Sequence, residues 1–299
     1  MSDVGTPKQG LMNIGDEAKP PFAVLPNPQT LFKSRALRFR ELAIGHELAP
    51  YLQFLARLTT AQHDAISNLP DTAMPLPASA KTALDHAMPP LHGAAGAADA
   101  IRAVLNRLGD TDLPVATKDA VVAVGSMDTP ALEALASSAL DSPPGEDIAR
   151  RALVLAGLQV HFVRQASRLD ADSLKSIADG SCPACGSLPV ASAVVGWPKA
   201  ANTRFCTCSL CATMWNVVRV KCVLCSATGG ISYHTVEGKP DTVKAETCDA
   251  CKAYVKILYQ VQDPMLDAVA DDVATLGLDL LMAEEGFKRG GSNPYLLGY

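Results

Sequence analysis

Residues 182–194 read CPACGSLPVASAV, and the cysteine that opens this stretch is the first in the chain. All nine cysteines lie between Cys182 and Cys251. Eight form C-x-x-C pairs: Cys182 with Cys185, Cys208 with Cys211, Cys222 with Cys225, and Cys248 with Cys251. There are 22 residues between Cys185 and Cys208 and 22 again between Cys225 and Cys248, so each member of the first set returns 40 residues later. Coincidence does not produce such a register; it marks an internal repeat.

Each C-x-x-C turn converges two thiolates while nearby amides can hydrogen-bond the sulfurs, and two such turns complete a tetrahedral S₄ cage. One repeat therefore makes one metal site, with the eight paired cysteines as ligands. A glycine directly after the second ligand suits the tight turn. Gly186 supplies it once, whereas Ala212, Ser226 and Lys252 stand at the equivalent positions. Disulfide pairing is disfavoured in a reducing compartment, and thioredoxin-type exchange needs a βαβ setting that is missing around these pairs. Spacing leaves the metal open, because tetrahedral S₄ suits both zinc and a single iron. Cys206 has no partner in the repeat, its counterpart being Glu246, and reads as a small buried hydrophobe. His234 is the one histidine inside a repeat and reads as a satisfied or exposed side chain. No Ser/His/Asp set or phosphate loop is present, and no catalytic residue is expected.

Outward from the cysteines, composition bounds the rest. At 299 residues and 48% hydrophobic, the chain can fill real cores for more than one domain. Its net charge of −5 gives no overall basic face for nucleic acid or an anionic membrane. Residues 181–262 carry eight Lys or Arg against four Asp or Glu. Eight thiolates and two divalent ions would bring that excess to about zero, which argues against strong phosphate binding. No window reaches the apolar length of a membrane helix, so no direct membrane insertion is expected. The N-terminus lacks the unbroken apolar core of a signal peptide, so a cytoplasmic location is expected.

Periodicity divides the chain. Residues 1–29, rich in Pro and Gly, read as a flexible arm, and 30–180 as a helical domain. Leu48, Leu52, Leu55, Leu58, Ile66 and Leu69 form one helical stripe that only Gln62 interrupts. Ile101, Val104, Leu105 and Leu108 form another. Thr129 and Pro130 suit the start of a third helix, ahead of Leu132, Leu135 and Leu140. The longest has Ile148, Ala152, Leu155, Phe162, Ala166 and Leu169 on its inner face. After Gly180 the texture turns to short β-branched and aromatic runs such as MWNVVRV, GISYHTV and AYVKILYQ. These make a first module over 181–220 and a second over 221–262. Over 263–299 a helix returns, with Asp263 as cap, Pro264 in its first turn, and Leu266, Val269, Val273, Leu276 and Leu280 on one face.

Two S₄ modules after a helical domain fit a nucleic-acid-binding zinc ribbon, a rubredoxin-like one-electron carrier or a protein-binding accessory factor. CSLCATMWNVVRVKCVLC, then AETCDACKAYVKILYQ and its continuation to GGSNPYLL, resemble the formate dehydrogenase accessory family, FdhE. SRALRFRELAIGHELAPYLQFLARLTTAQ extends the likeness toward the N-terminus. The resemblance implies a multi-domain α and β chain, with an all-helical domain followed by two tandem rubredoxin-like modules and a C-terminal helix. It also implies a cytoplasmic maturation factor rather than an enzyme, acting on the catalytic subunit of formate dehydrogenase. For the two metal ions it favours iron, with Cys182, Cys185, Cys208, Cys211, Cys222, Cys225, Cys248 and Cys251 as ligands.

Overall fold

The structure is a computed structural model that describes residues 20–70, 76–109, 111–141 and 147–296. The helical half holds α1 (Leu31–Leu42), α2 (Ala49–Asn68), α3 (Ala80–Asp85), α4 (Ala98–Gly109), α5 (Val115–Gly125), α6 (Thr129–Asp141) and α7 (Ile148–Ala166). Among the described residues no helix is long and apolar enough to cross a membrane.

The leucine stripe of α2 is buried as its spacing predicts, with Leu52, Leu55 and Leu58 each at 0% exposure. Each such side chain contributes about 2 kcal/mol of transfer free energy. Gln62 interrupts the stripe without an unpaired polar group. It donates to Ala156 O at 2.9 Å and Gln159 Oε1 at 3.0 Å on α7, so its burial is satisfied. The third expected helix starts where Thr129 and Pro130 put it, but Asp128 is the residue that caps it, accepting from Ala131 N at 2.9 Å.

Helix α7 departs most from a one-sided stripe. Every residue from Leu153 to Val163 is buried, because α2, α4, α5 and α6 pack around it. Its first turn stands in solvent, so Ile148, expected on the inner face, is 46% exposed. Gly157 lets α4 approach: a Cβ there would lie 2.5 Å from Ile101 Cα.

The second half is a single eight-stranded sheet with β1 (Ala23–Val24), β2 (Pro189–Val195), β3 (Thr203–Cys208), β4 (Met214–Val217), β5 (Ile231–His234), β6 (Val243–Cys248), β7 (Ala253–Tyr259) and β8 (Lys288–Arg289). The order is β1-β4-β3-β2-β7-β6-β5, with β8 also on β7. Of the expected N-terminal arm, residues 1–19 lie outside the described residues, while Ala23 and Val24 pair with Trp215 and Met214 at the sheet edge.

Strands β2 to β4 and β5 to β7 are the two copies of the repeat, each an antiparallel set. A parallel pairing joins them, Ser192 with Ile257 through Val194 with Tyr259. Across this seam the buried Arg204 of β3 donates to Glu246 of β6 at 2.8 Å, and within its own strand set to Ser192 Oγ of β2 at 2.9 Å.

The C-terminal helix is two short helices, α8 (Ala270–Ala274) and α9 (Leu276–Glu284). Asp263 caps only a turn, through Met265 N at 2.9 Å. Closer to the helix, Asp267 accepts from Val269 N and Ala270 N at 2.9 and 2.8 Å, two residues ahead of the N-cap Val269. The break falls at Thr275 because Lys256 of β7 takes the carbonyls of Asp272 and Thr275 at 2.8 and 3.0 Å. Rotated by the break, α9 buries Leu278 and Met282 and leaves Leu280 half exposed.

Candidate metal centre

Each tetrad is assembled by two C-x-x-C turns of one repeat, and the turns share one backbone pattern. The first cysteine's N–H donates five residues ahead: Cys182 to Ser187 O at 3.0 Å, Cys208 to Thr213 O at 3.0 Å and Cys222 to Ala227 O at 2.8 Å. The residue after the second cysteine folds back, with Gly186, Ser226 and Lys252 N donating to Cys182, Cys222 and Cys248 O at 2.8, 3.0 and 2.8 Å. That closure needs a left-handed residue. Gly186 (φ 78°), Ala212 (58°), Ser226 (65°) and Lys252 (54°) all adopt it. Three side chains thus accept a conformation that costs an L-residue roughly 1–2 kcal/mol each, so the missing glycines are replaced by strain.

The result is two clusters, Cys182, Cys185, Cys208 and Cys211 in one and Cys222, Cys225, Cys248 and Cys251 in the other, each with sulfurs within 4.8 Å of one another. In the first, Cys182 and Cys211 are 3.5 Å apart and Cys185 and Cys208 3.4 Å. In the second, Cys222 and Cys251 are 3.8 Å apart and Cys225 and Cys248 3.7 Å. Disulfides would need about 2.05 Å. A tetrahedral ion with metal–sulfur bonds of about 2.3 Å spaces its sulfurs by about 3.8 Å, so four-thiolate coordination of a soft or borderline divalent ion fits both clusters.

Without an ion the thiols of a cluster are not equivalent. Burial pushes the Cys182 and Cys208 thiols well above their ordinary range, while hydrogen bonds from Cys182, Cys208 and Cys211 hold Cys185 well below it. In the second cluster burial pushes Cys222 up to about 12. For Cys248 the same burial effect is outweighed by the N–H groups of Cys251 and Ala250, and its pKa falls. The four sulfurs of a cluster are therefore unlike one another in proton affinity. An ion binds thiolates, so proton release accompanies binding and affinity rises with pH.

The clusters sit differently. Cys182, Cys208 and Cys211 are buried, and the helical half covers their turns: Leu91 N donates to Ala184 O at 3.0 Å and Gln159 Nε2 to Ser209 O at 2.8 Å. Cys225 and Cys251 are exposed. The remaining sequence candidates lie outside both clusters. Cys206 is fully buried in β3, where burial pushes its thiol up to about 12. His234 meets Thr247 Oγ1 at 3.1 Å through Nε2.

Three family models match successive parts of the chain: "FdhE, N-terminal" over residues 20–179, "FdhE, central domain" over 181–219 and "FdhE, C-terminal domain" over 220–296. The chain belongs to the FdhE family. The FdhE homolog of Rhizobium meliloti (strain 1021) is 45% identical over 295 residues, 96% of each chain. That of Edwardsiella ictaluri (strain 93-146) is 38% identical over 282 residues, 91% of this chain and 90% of its own. The crystal structure of the FdhE protein from Pseudomonas aeruginosa matches with a TM-score of 0.83 at 29% identity, covering 93% of this chain and 99% of that one.

Some supports of the FdhE clusters escape sequence reading. Thr213 Oγ1 lies 3.2 Å from Cys211 Sγ and Ser187 Oγ 3.5 Å from Cys185 Sγ. Both hydroxyls stand two residues after the second cysteine of a pair, and that position is the signal that could have found them. Leu91 and Gln159 carry no such signal, because only the packed helices bring them to the turns.

Proposed function

We propose that the chain is a cytoplasmic accessory factor that binds the catalytic subunit of a formate dehydrogenase and assists its assembly. The observation that carries this reading is FdhE-family membership along the described chain, with both cysteine clusters assembled. The chain turns over no substrate; its role is recognition of an incompletely assembled subunit. Cys182, Cys185, Cys208 and Cys211 hold one ion and Cys222, Cys225, Cys248 and Cys251 a second, iron in preference to zinc. When bound, each ion ties two turns together and supplies folding free energy to a small strand set. The residues then do the rest. The hydroxyls of Ser187 and Thr213 support the first cluster, and Arg204 with Glu246 fixes the two strand sets in one sheet.

The test is capture with the full tagged chain, purified without oxygen, from extract of cells that make a formate dehydrogenase. The catalytic subunit should be recovered and identified by mass spectrometry, and Cys208→Ser should weaken its recovery. Retention of nucleic acid instead, released steeply as salt rises, would overturn the reading in favour of a ribbon. Metal analysis with a visible spectrum decides iron against zinc.

A further inference from the structure

The two clusters come from one repeat, so each residue of the first has a counterpart 40 positions on, and the counterparts differ in one direction. Ser187 and Thr213, which meet Cys185 and Cys211, are replaced by Ala227 and Ala253. Ser209 and Leu210, buried between Cys208 and Cys211, are replaced by Asp249 and Ala250, both exposed. Pro89 lies over the first cluster's turn, where a Cβ on Gly186 would come within 3.3 Å of its Cγ. The second cluster's inner turn is packed, with Gly180 and Gly290 close against Leu224, yet of its outer cysteines Cys225 is exposed and Cys251 at least partly so.

We propose that the second cluster is a metal-exchange site, open to a small incoming ligand with sulfur or nitrogen donors, and that the first is closed to exchange. The inference rests on the reading that both clusters hold metal. Ligand substitution at an S₄ ion is associative in character: the incoming sulfur or nitrogen bonds to the ion while one cysteine leaves. Cys225 or Cys251 is the group that can swing away, since these are the exposed cysteines of the cluster. The departing thiolate takes a proton from water, and no electron changes hands. At the first cluster Cys182, Cys208 and Cys211 are buried and only Cys185 is partly exposed, beside Pro89, while Cys211 cannot leave without giving up its Thr213 contact.

The full chain loaded with two zinc ions, then challenged with the chromogenic chelator pyridylazoresorcinol, tests this without any substitution. One equivalent should leave in a fast phase and the other roughly 10- to 100-fold more slowly, in line with what outer contacts contribute at metal sites. Iodoacetamide added after the fast phase should then label Cys222, Cys225, Cys248 and Cys251 and spare Cys182, Cys185, Cys208 and Cys211. A common rate for both ions, or early labelling of the first four, would overturn the proposal while leaving the metal reading intact. A chain that takes up fewer than two zinc ions at the start would refute the metal reading and the proposal with it.

Discussion

Around α7 the surroundings are carbon on nearly every side: Ile101, Val104 and Leu105 from α4, Leu52 and Leu55 from α2, and Leu132 from α6 are all buried. Around β7 a lysine is buried among the apolar side chains. Lys256, fully buried, lies 3.1 Å from Asp272 Oδ1 and 2.5 Å from Asp279 Oδ2, and Arg289 pairs with the same two aspartates. Tyr254 OH adds a bond to Asp279 at 2.7 Å and Asn293 Nδ2 one to Asp272 at 2.7 Å. Burial pushes the Asp272 carboxyl up, but Lys256 and Arg289 outweigh it and hold it ionised. The helical half thus rests on many interchangeable apolar contacts, and the sheet half on a few matched charges and sulfurs. Apolar cores degrade gradually under substitution, whereas matched groups fail when one partner goes.

Stripping both metals is the largest perturbation of that contrast. Structural S₄ ions contribute on the order of 10 kcal/mol, far beyond what strand sets of this size bury for themselves. Hydrogen exchange on the metal-free reduced chain should lose protection in β3, β4, β6 and β7 and keep it in α2, α4 and α7. Uniform loss along the chain would show that the two halves fold as one unit.

Next comes Lys256→Ala. Two aspartates would then face Arg289 alone, leaving one negative charge buried without a partner. The expected loss is about 3–5 kcal/mol. It should appear as a lower urea midpoint with both metals still bound by elemental analysis. A loss below about 1 kcal/mol, the range of exposed pairs, would mean that water reaches the cluster.

The sequence disclosed the parts governed by short-range rules. The two four-cysteine clusters follow from spacing, the helices from leucine stripes, and the strands from β-branched runs. What it hid depends on residues far apart in the chain. The parallel pairing of β2 with β7 joins two repeats that each look self-contained, and nothing local marks Ser192 and Ile257 as neighbours. Asp271 and Asp272 are adjacent in the chain, and nothing local tells them apart. In the fold they face opposite ways, Asp271 to Arg38 of α1 at 2.7 Å and Asp272 to Lys256 of β7. Helical periodicity carried the C-terminal helix through Thr275 for the same reason, because the lysine that breaks it lies 19 residues back.

The smallest expected effect probes the helical half through its one deeply buried histidine. His161 of α7 is 1% exposed, and its Nδ1 has no partner among the described residues. Burial lowers its pKa from 6.5 to about 4, with the charge of Arg164 acting in the same direction. The unfolded chain therefore binds a proton that the folded one refuses between those two values. Stability linked to this group is full above pH 6.5 and falls as pH drops toward 4, by about 2 kcal/mol at pH 5. Asp271 acts with the opposite sign: mainly through burial its carboxyl is pushed up to about 6, so acid relieves it. The histidine contribution is isolated by difference, using urea unfolding of wild type and His161→Gln at pH 7 and pH 5. Wild type should lose about 2 kcal/mol more than the variant over that interval. Equal losses would place the protonation elsewhere and show that water enters beside α7.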